Sequence, residues 1–588
     1  MKKVTLLLVA CGFILFSTNA LFTQQNKEDE NFLKVVDTFF DEMWKFYPTQ
    51  ATLEGFHKYD NKLEDMGDGS IEKRHDVLDG LNSELVTKIN MDALSPEVQI
   101  DFMMMRDAID RELIKHEMLL PWAYNPLFYN QIFSDSIRSL MTEEFAPIAE
   151  RAKNAEERLK NLPKLIKQAK ENLQTPPLIY TETAIKQFPG ILNFYKTDLP
   201  SLIQQIPANN KSKLEDELAK TIAALEDYYN YLQTQLLPNS TGNDRLMEAH
   251  RRYARITYQN NIPLEELVAR ARADVNNIAR EMALTSIPFF KVMYPEIDPD
   301  KIQRSDEEIK RLLIQGVFDK IKTEHVPKEE FFEAIQNTAA TIKGFIEENQ
   351  LIDLPDGELN FEEMPQYKYG LSWTKLITPG IYENNGNYIY QFSAFNGDLP
   401  EETVTSLLEE YNIYYLPFYV TRKIYPGPFI PYFFTTQNSN FLRKYYHNQP
   451  LIQGWPVFLE EMLIFNAFGD YDLRLRFAQL KLRLKLAIDF ILDFNIHETA
   501  MSKEDAINYM TRVGFQTRAE AERNFNRILL MPVDATYAYV GLQELLNLQT
   551  AYKQQKGDSY SQKEFLSEVL SYGPIPLRHL QEKMRHPR

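Results

Sequence analysis

Apolar residues recur at spacings of three and four through most of the chain, the period of an amphipathic helix rather than of a strand. Ile148, Ala152, Ala155, Leu159 and Leu162 form one such stripe, and Leu214, Leu218, Ile222, Leu225, Tyr229 and Leu232 another. Leu264, Leu267, Ala271, Val275, Ile278 and Met282 form a third, opening after Pro263 where proline suits a first turn. Stripes of this kind face a core, so the chain from Asn31 to about Leu237 reads as helix after helix. Asp37 to Tyr47 is predicted to end at Pro48, and Pro163 and Pro176-Pro177 are predicted to break or kink helices. Further helices are predicted at His250 to Tyr258, about Asp306 to Thr323, and Lys328 to Asn349. Asp472 to Phe494 alternates like a strand yet also fits helical spacing through Leu473, Phe477, Leu480, Leu484, Ile488 and Ile491. Its length, with no turn former inside, decides for helix.

The texture changes after Pro355-Asp-Gly357. Residues 357–396 form the one clear β region, with Asn385-Gly386 between β-formers as a hairpin signal, because both residues tolerate positive φ. Its tyrosines are expected to pack. Pro238-Asn-Ser-Thr-Gly-Asn-Asp244 clusters turn formers between helical segments and marks the predicted boundary between an N-terminal helical half, 21–240, and a C-terminal one, 241–588. The fold class expected is mainly α, a large multi-helix protein with a small antiparallel β region.

Composition narrows the function. A chain of 588 residues that is 44% hydrophobic and 25% charged is globular and large enough for a substantial core. Its net charge of -18, with no basic run or zinc-finger spacing, opposes binding to nucleic acid or to an anionic bilayer. Met1-Lys2-Lys3, the apolar run Val4 to Phe16 and Ser17-Thr18-Asn19-Ala20 have the three parts of a secretory signal occupying 1–20. A competing reading takes Leu8-Val9-Ala10-Cys11-Gly12 as a lipoprotein box with a lipid anchor on Cys11. That leaves Val4 to Ala10 as the apolar core, at the bottom of the usual range of roughly 7 to 15 residues. A retained anchor is disfavoured, since the run falls short of the ~20 residues that span a bilayer. Either processed form is exported, to the periplasm or envelope, without a membrane span. Cys11 is the sole cysteine, so removal of the secretory signal leaves neither disulfides nor thiol catalysis.

Candidate chemistry centres on Arg422-Lys-Ile-Tyr-Pro-Gly-Pro-Phe-Ile-Pro431, which aromatic residues flank: Tyr411, Tyr414, Tyr415, Phe418 and Tyr419 before, Tyr432, Phe433 and Phe434 after, with Gln453-Gly454-Trp455 downstream. The layout resembles a bacterial family of secreted or lipid-anchored helical proteins, the domain of unknown function 885, related to gluzincin-type zinc metallopeptidases. Members carry His-Glu-x-x-Pro-Gly-His-His-x-Gln here and Glu-Gly-Trp downstream. Pro426, Gly427, Gly454 and Trp455 match, while Arg422 and Lys423 replace the first His-Glu pair, Pro428 replaces the second histidine and Gln453 the glutamate. Further on, Ile491 to His497 resembles Val-Val-Asp-Thr-Gly-Ile-His, with Asp493, Ile496 and His497 matching and Asn495 replacing glycine. Pro532 to Gly541 resembles Pro-Gly-Gln-Ala-x-x-Tyr-x-x-Gly, with Val533 and Asp534 replacing Gly-Gln and Ala538, flanked by Tyr537 and Tyr539, at the tyrosine position. Leu566 stands for the histidine of Phe-His-Asp, and Gly573 to Leu577 matches the terminal motif. The resemblance spans nearly the whole mature chain and implies a metallopeptidase-like fold with a deep cleft, bordered by a small sheet.

It also implies a zinc site that these residues cannot build. A catalytic zinc needs about three imidazole, carboxylate or thiolate ligands, an open position for water and a carboxylate base. Arg422 and Lys423 are cations without a free lone pair, Pro428 has no donor atom, and Gln453 is a weak ligand. None of the nine histidines opens His-Glu-x-x-His: His116-Glu117 and His497-Glu498 each lack the second histidine one turn on. No serine near His497 carries a nucleophile-elbow motif. Glu460 and Glu461 could serve as a glycosidase-like acid/base pair, but adjacent helical glutamates point apart and are expected on a partly solvated face. Asp493 and His497, four apart on a helix, are expected to share a hydrogen bond or ion pair.

The expected function is therefore a secreted, catalytically inactive relative of zinc metallopeptidases, without cofactor, whose cleft takes a peptide-like or other small ligand. The alternatives are an active zinc hydrolase with a non-standard ligand set and an envelope scaffold, which predicts an exposed apolar patch. Pro426, Gly427, Gly454, Trp455, Glu460, Asp493, His497 and Tyr537 are the cleft candidates.

Overall fold

The computed structural model describes residues 27–207, 211–297, 305–364, 374–383, 386–392 and 400–585. The leader at 1–20 with Cys11, the turn residue Asn385, the end of the β region at 393–396 and His586 lie outside these. Helices dominate, as the periodicity predicts. The described residues of Met1–Gln174, Tyr195–Tyr231 and Asn440–Tyr446 form one compact unit, and those of Thr175–Phe194, Leu232–Ser439 and His447–Arg588 a second.

In the first unit the stripe from Ala152 to Leu162 is buried on the helix Ile148–Asn172, which packs against Lys211–Tyr231 through Leu214, Leu218 and Leu225. Pro163 does not break this helix; it lies inside it. A proline lacks the N–H that would bond the carbonyl four residues back. That carbonyl belongs to Leu159, and the buried Thr221 hydroxyl donates to it at 3.0 Å. A side chain from the neighbouring helix thus replaces the missing backbone donor, and the expected break does not form. Pro176-Pro177 does fall between helices. Arg158, fully buried, ties four segments together by donating to the carbonyls of Lys62, Ser136 and Pro48 and to the Thr52 hydroxyl at 2.6–2.9 Å.

In the second unit the ambiguous stretch is a single helix, Leu473–Thr499, packed along Leu264–Met293. The helix Gln449–Phe465 packs against Tyr537–Lys556. The sheet lies where expected and has three strands: β1 (Leu359–Glu363), β2 (Thr374–Ile377) and β3 (Tyr388–Phe392). β2 and β3 pair antiparallel, but β3 is central and pairs parallel with β1, so the sheet is mixed rather than antiparallel. Tyr388 and Tyr390 are buried, the first against Phe429 and Phe433 and the second against Phe361. Among the described residues no helix is long and apolar enough to cross a membrane.

Candidate functional site

Arg422 and Lys423 end the short helix Leu416–Lys423, and Pro428 caps the next, Phe429–Thr436. Between them Gly427 sits where a Cβ would collide with the Thr421 carbonyl and touch Pro456, so this turn admits no side chain. The Arg422 guanidinium reaches the helix Gln449–Phe465 and forks onto Glu460: Nε donates to Oε1 and Nη2 to Oε2, the latter at 3.0 Å. Nη1 also donates to the Leu482 carbonyl at 3.4 Å. Expected on a partly solvated face, Glu460 is instead 0% exposed, its counter-charge supplied by an arginine that is itself 16% exposed. Burial pushes the Glu460 pKa up, more than Arg422 holds it down. Its neighbour Glu461 turns the other way, accepting from Arg476, Arg483 and Gln479. The two carboxylates are therefore committed to different cations and do not act as a pair.

Gln453 lies two helical turns before Glu460 on the same face. It is half-buried, and its amide donates to Gln449 at 3.2 Å, which in turn contacts His447 at 2.7 Å. Gly454 has a packing role. Its Cβ position falls on the backbone of Gly541, and a Cβ on Gly541 would fall on the Pro450 carbonyl, so these two helices cross backbone to backbone. Trp455 beside it is fully buried. Gly454 and Gly541 thus let the two helices cross this closely.

Asp493 and His497 lie on one face of the helix Leu473–Thr499 and approach to 4.0 Å, the outer limit of an ion pair, without a hydrogen bond between them. Asp493 accepts instead from His250 Nε2 at 2.7 Å and from the Val533 N–H at 3.0 Å. His250 Nδ1 meets Glu498 at 3.1 Å, and the His250 and His497 rings stack with centroids 5.4 Å apart. His497 accepts the Leu246 N–H at Nδ1, and its own carbonyl takes the Met247 N–H. Burial alone would lower the His250 pKa, but the hydrogen bonds to Asp493 and Glu498 outweigh it and hold it up at about 9. Burial lowers His497 despite the nearby Asp493 carboxylate, so the stacked pair has one charged ring and one neutral. Tyr537, buried at the start of its helix, stands edge-on to Tyr258.

The structure thus separates the predicted residues into two clusters, Arg422 with Glu460 near Gln453, and Asp493 with His497. Sequence reading passed over His250 and Glu498 as partners. A histidine in the first turn of a helix gives no local sign of a partner 243 residues on. Among the described residues no group of three or more His, Cys, Asp or Glu side chains is arranged to hold a metal ion.

The architecture defines a mainly helical protein with a small mixed sheet. The family described as bacterial protein of unknown function (DUF885) matches residues 48–584, and the chain belongs to it. In solved structures the fold is similar to a candidate lipoprotein of unknown function from Shewanella oneidensis, at TM-score 0.79 and 23% identity over 94% of this chain and 100% of that one. A candidate lipoprotein from Colwellia psychrerythraea is similar at TM-score 0.74 and 13% identity, over 96% and 99% of the two chains. No curated protein matches.

Proposed function

We propose that this is a catalytically silent, envelope-associated member of its family that holds a peptide-like ligand without cleaving it. One observation carries the reading: where the resemblance places the zinc ligands, Arg422 is forked onto the buried Glu460. A protein cation neutralises the carboxylate that faces the site, and a second cation, Lys423, adjoins it. A divalent ion entering there would meet two positive charges, a proline and an amide already bonded to Gln449. These residues do not fit zinc. The fold similarity to candidate lipoproteins favours a lipid anchor at Cys11 over free secretion.

Metal analysis of the purified protein, paired with a peptide-cleavage assay with and without chelator, tests this. The expected result is background zinc and no chelator-sensitive cleavage. Stoichiometric zinc together with chelator-sensitive cleavage would overturn it in favour of an active enzyme with an unorthodox ligand set.

A further inference from the structure

A pocket of about 200 Å³ opens where the start of β1, the connection from β2 to β3 and the helix Phe429–Thr436 meet. None of the residues that line it belongs to the two clusters described above. It is smaller than the roughly 300–1,000 Å³ of pockets that take drug-sized ligands, so it suits a single ring. Two glycines shape it. A Cβ on Gly357 would strike the Phe433 ring and one on Gly386 would strike Pro379, so a side chain at either position would displace a wall. Phe433 is half-buried and is braced by the rings of Tyr388, Phe429 and Phe434, at centroid distances of 5.7, 6.2 and 5.9 Å.

The other walls are polar. Glu358 and Glu383 contribute carboxylates, and Asn360, Asn387 and Gln437 contribute carboxamides. Glu383 accepts the Gly380 N–H at 2.9 Å. Among the described residues no hydrogen bond or ion pair engages the side chains of Glu358, Asn360, Asn387 and Gln437. The Tyr388 and Thr436 hydroxyls, which also line the pocket, bond each other.

These groups restrict what the pocket can take. A carboxylate only accepts hydrogen bonds, whereas a carboxamide offers two N–H donors and an acceptor. An ammonium would suit the carboxylates and leave the amide N–H groups unmatched. An anion would suit the N–H groups and meet two negative charges. A hydroxyl both donates and accepts, so a ring bearing several hydroxyls matches both kinds of wall at once. The slightly positive C–H groups of a pyranose ring also match the electron-rich face of Phe433.

We propose that this pocket binds one neutral pyranose residue of a carbohydrate, stacked on Phe433 and held through its hydroxyls by Asn360, Asn387, Gln437 and Glu358. The site is separate from the peptide-like ligand proposed above and stands without it.

The test titrates the mature protein with glucose, galactose, mannose and N-acetylglucosamine, and with putrescine as a diamine control, read by saturation-transfer NMR. Two variants are compared with the native protein: Asn360→Ala with Asn387→Ala, and Phe433→Leu. Asn360 and Asn387 are exposed, so the asparagine double variant is expected to keep the native Tm. At least one of the four sugars is expected to bind saturably and more tightly than putrescine. The double variant is expected to weaken that binding about tenfold, the loss of two hydrogen bonds. Phe433→Leu keeps an apolar side chain against Tyr388 and removes the ring, and it is expected to weaken binding as well. Failure of all four sugars to bind, or binding unchanged in either variant, overturns the site. Putrescine binding as tightly as the sugars would assign the pocket to an ammonium group and overturn the carbohydrate reading equally.

Discussion

The Arg422–Glu460 pair and the Asp493–His250 network occupy two stretches that the family resemblance marks, and they differ in how their buried charges are met. In the first, the charges close on each other: a guanidinium fills both acceptor oxygens of one buried carboxylate. In the second, Asp493 and His497 belong to a wider network with His250, Glu498 and the backbone of Val533. The contrast teaches that residues picked out by a motif can have structural duties. Asp493 has an identifiable structural duty, orienting an imidazolium and a turn, and Gly454 has one in the helix crossing.

The retained network should be the more costly to break. Asp493→Ala removes the acceptor of His250 Nε2 and of the Val533 N–H, leaving a buried imidazolium with Glu498 alone and an unpaired donor. Removing one partner of a buried ion pair costs about 3–5 kcal/mol, and this variant belongs at the upper end. Chemical denaturation measures it; a loss under about 1 kcal/mol, the range of a surface pair, would refute the structural duty.

Arg422→Ala should cost about 3 kcal/mol, the low end of the same range, because water reaching the partly exposed arginine position would partly solvate Glu460. The double variant Arg422→Met, Glu460→Met should recover most of that loss, since an apolar pair leaves no buried charge. A double variant as unstable as the single one would show that Arg422 acts through contacts other than Glu460.

Much of this was legible in the sequence, and the exceptions share a cause. Local periodicity finds the helices because the spacing of Leu267, Ala271 and Val275 is itself the buried stripe. Pro163 misleads because its repair comes from Thr221, on another helix. The parallel pairing of β1 with β3 is invisible because no turn connects Leu359 to Tyr388. At the site, the chemistry of Arg422, Lys423, Pro428 and Gln453 is read directly, whereas the partners Glu460 and His250 lie 38 and 243 residues from the groups they bind. What is local was readable; what depends on a distant acceptor was not.

The two regions should also part in their response to pH. The folded pKa of His250, about 9, lies above its ordinary value of 6.5, so its contribution is complete below pH 6.5 and declines as pH rises through 9. At about 1.4 kcal/mol per unit, the loss between pH 6.5 and 9.5 is on the order of 3 kcal/mol. Asp493, Glu498, His497 and Arg251 are the charged or titratable groups nearest to it. His497, lowered by burial, acts below pH 6.5 and does not confuse the window. Denaturation midpoints at pH 6.5 and 9.5 should therefore fall in the native protein and stay closer together in His250→Gln; equal falls in both would place the pH response elsewhere.

The smallest effect expected is an inversion. Val533 stands where the resemblance has glycine, with φ +68° and the Asp534 N–H bonded to the Pro532 carbonyl at 2.8 Å, a tight γ-turn that a β-branched residue adopts under strain. Such strain is of order 1–3 kcal/mol. Val533 is also fully buried, and deleting its methyl groups costs about 0.8 kcal/mol each in transfer alone. Val533→Ala loses that packing and keeps most of the strain, whereas Val533→Gly loses slightly more packing and is freed of the strain. In an ordinary helix or strand glycine is the less stable of the two by roughly 0.5–1 kcal/mol. Here Val533→Gly should be the more stable by about 1 kcal/mol. Alanine matching or exceeding glycine would mean that the turn relaxes on substitution, and that Asp493 does not hold the Val533 N–H in the strained position.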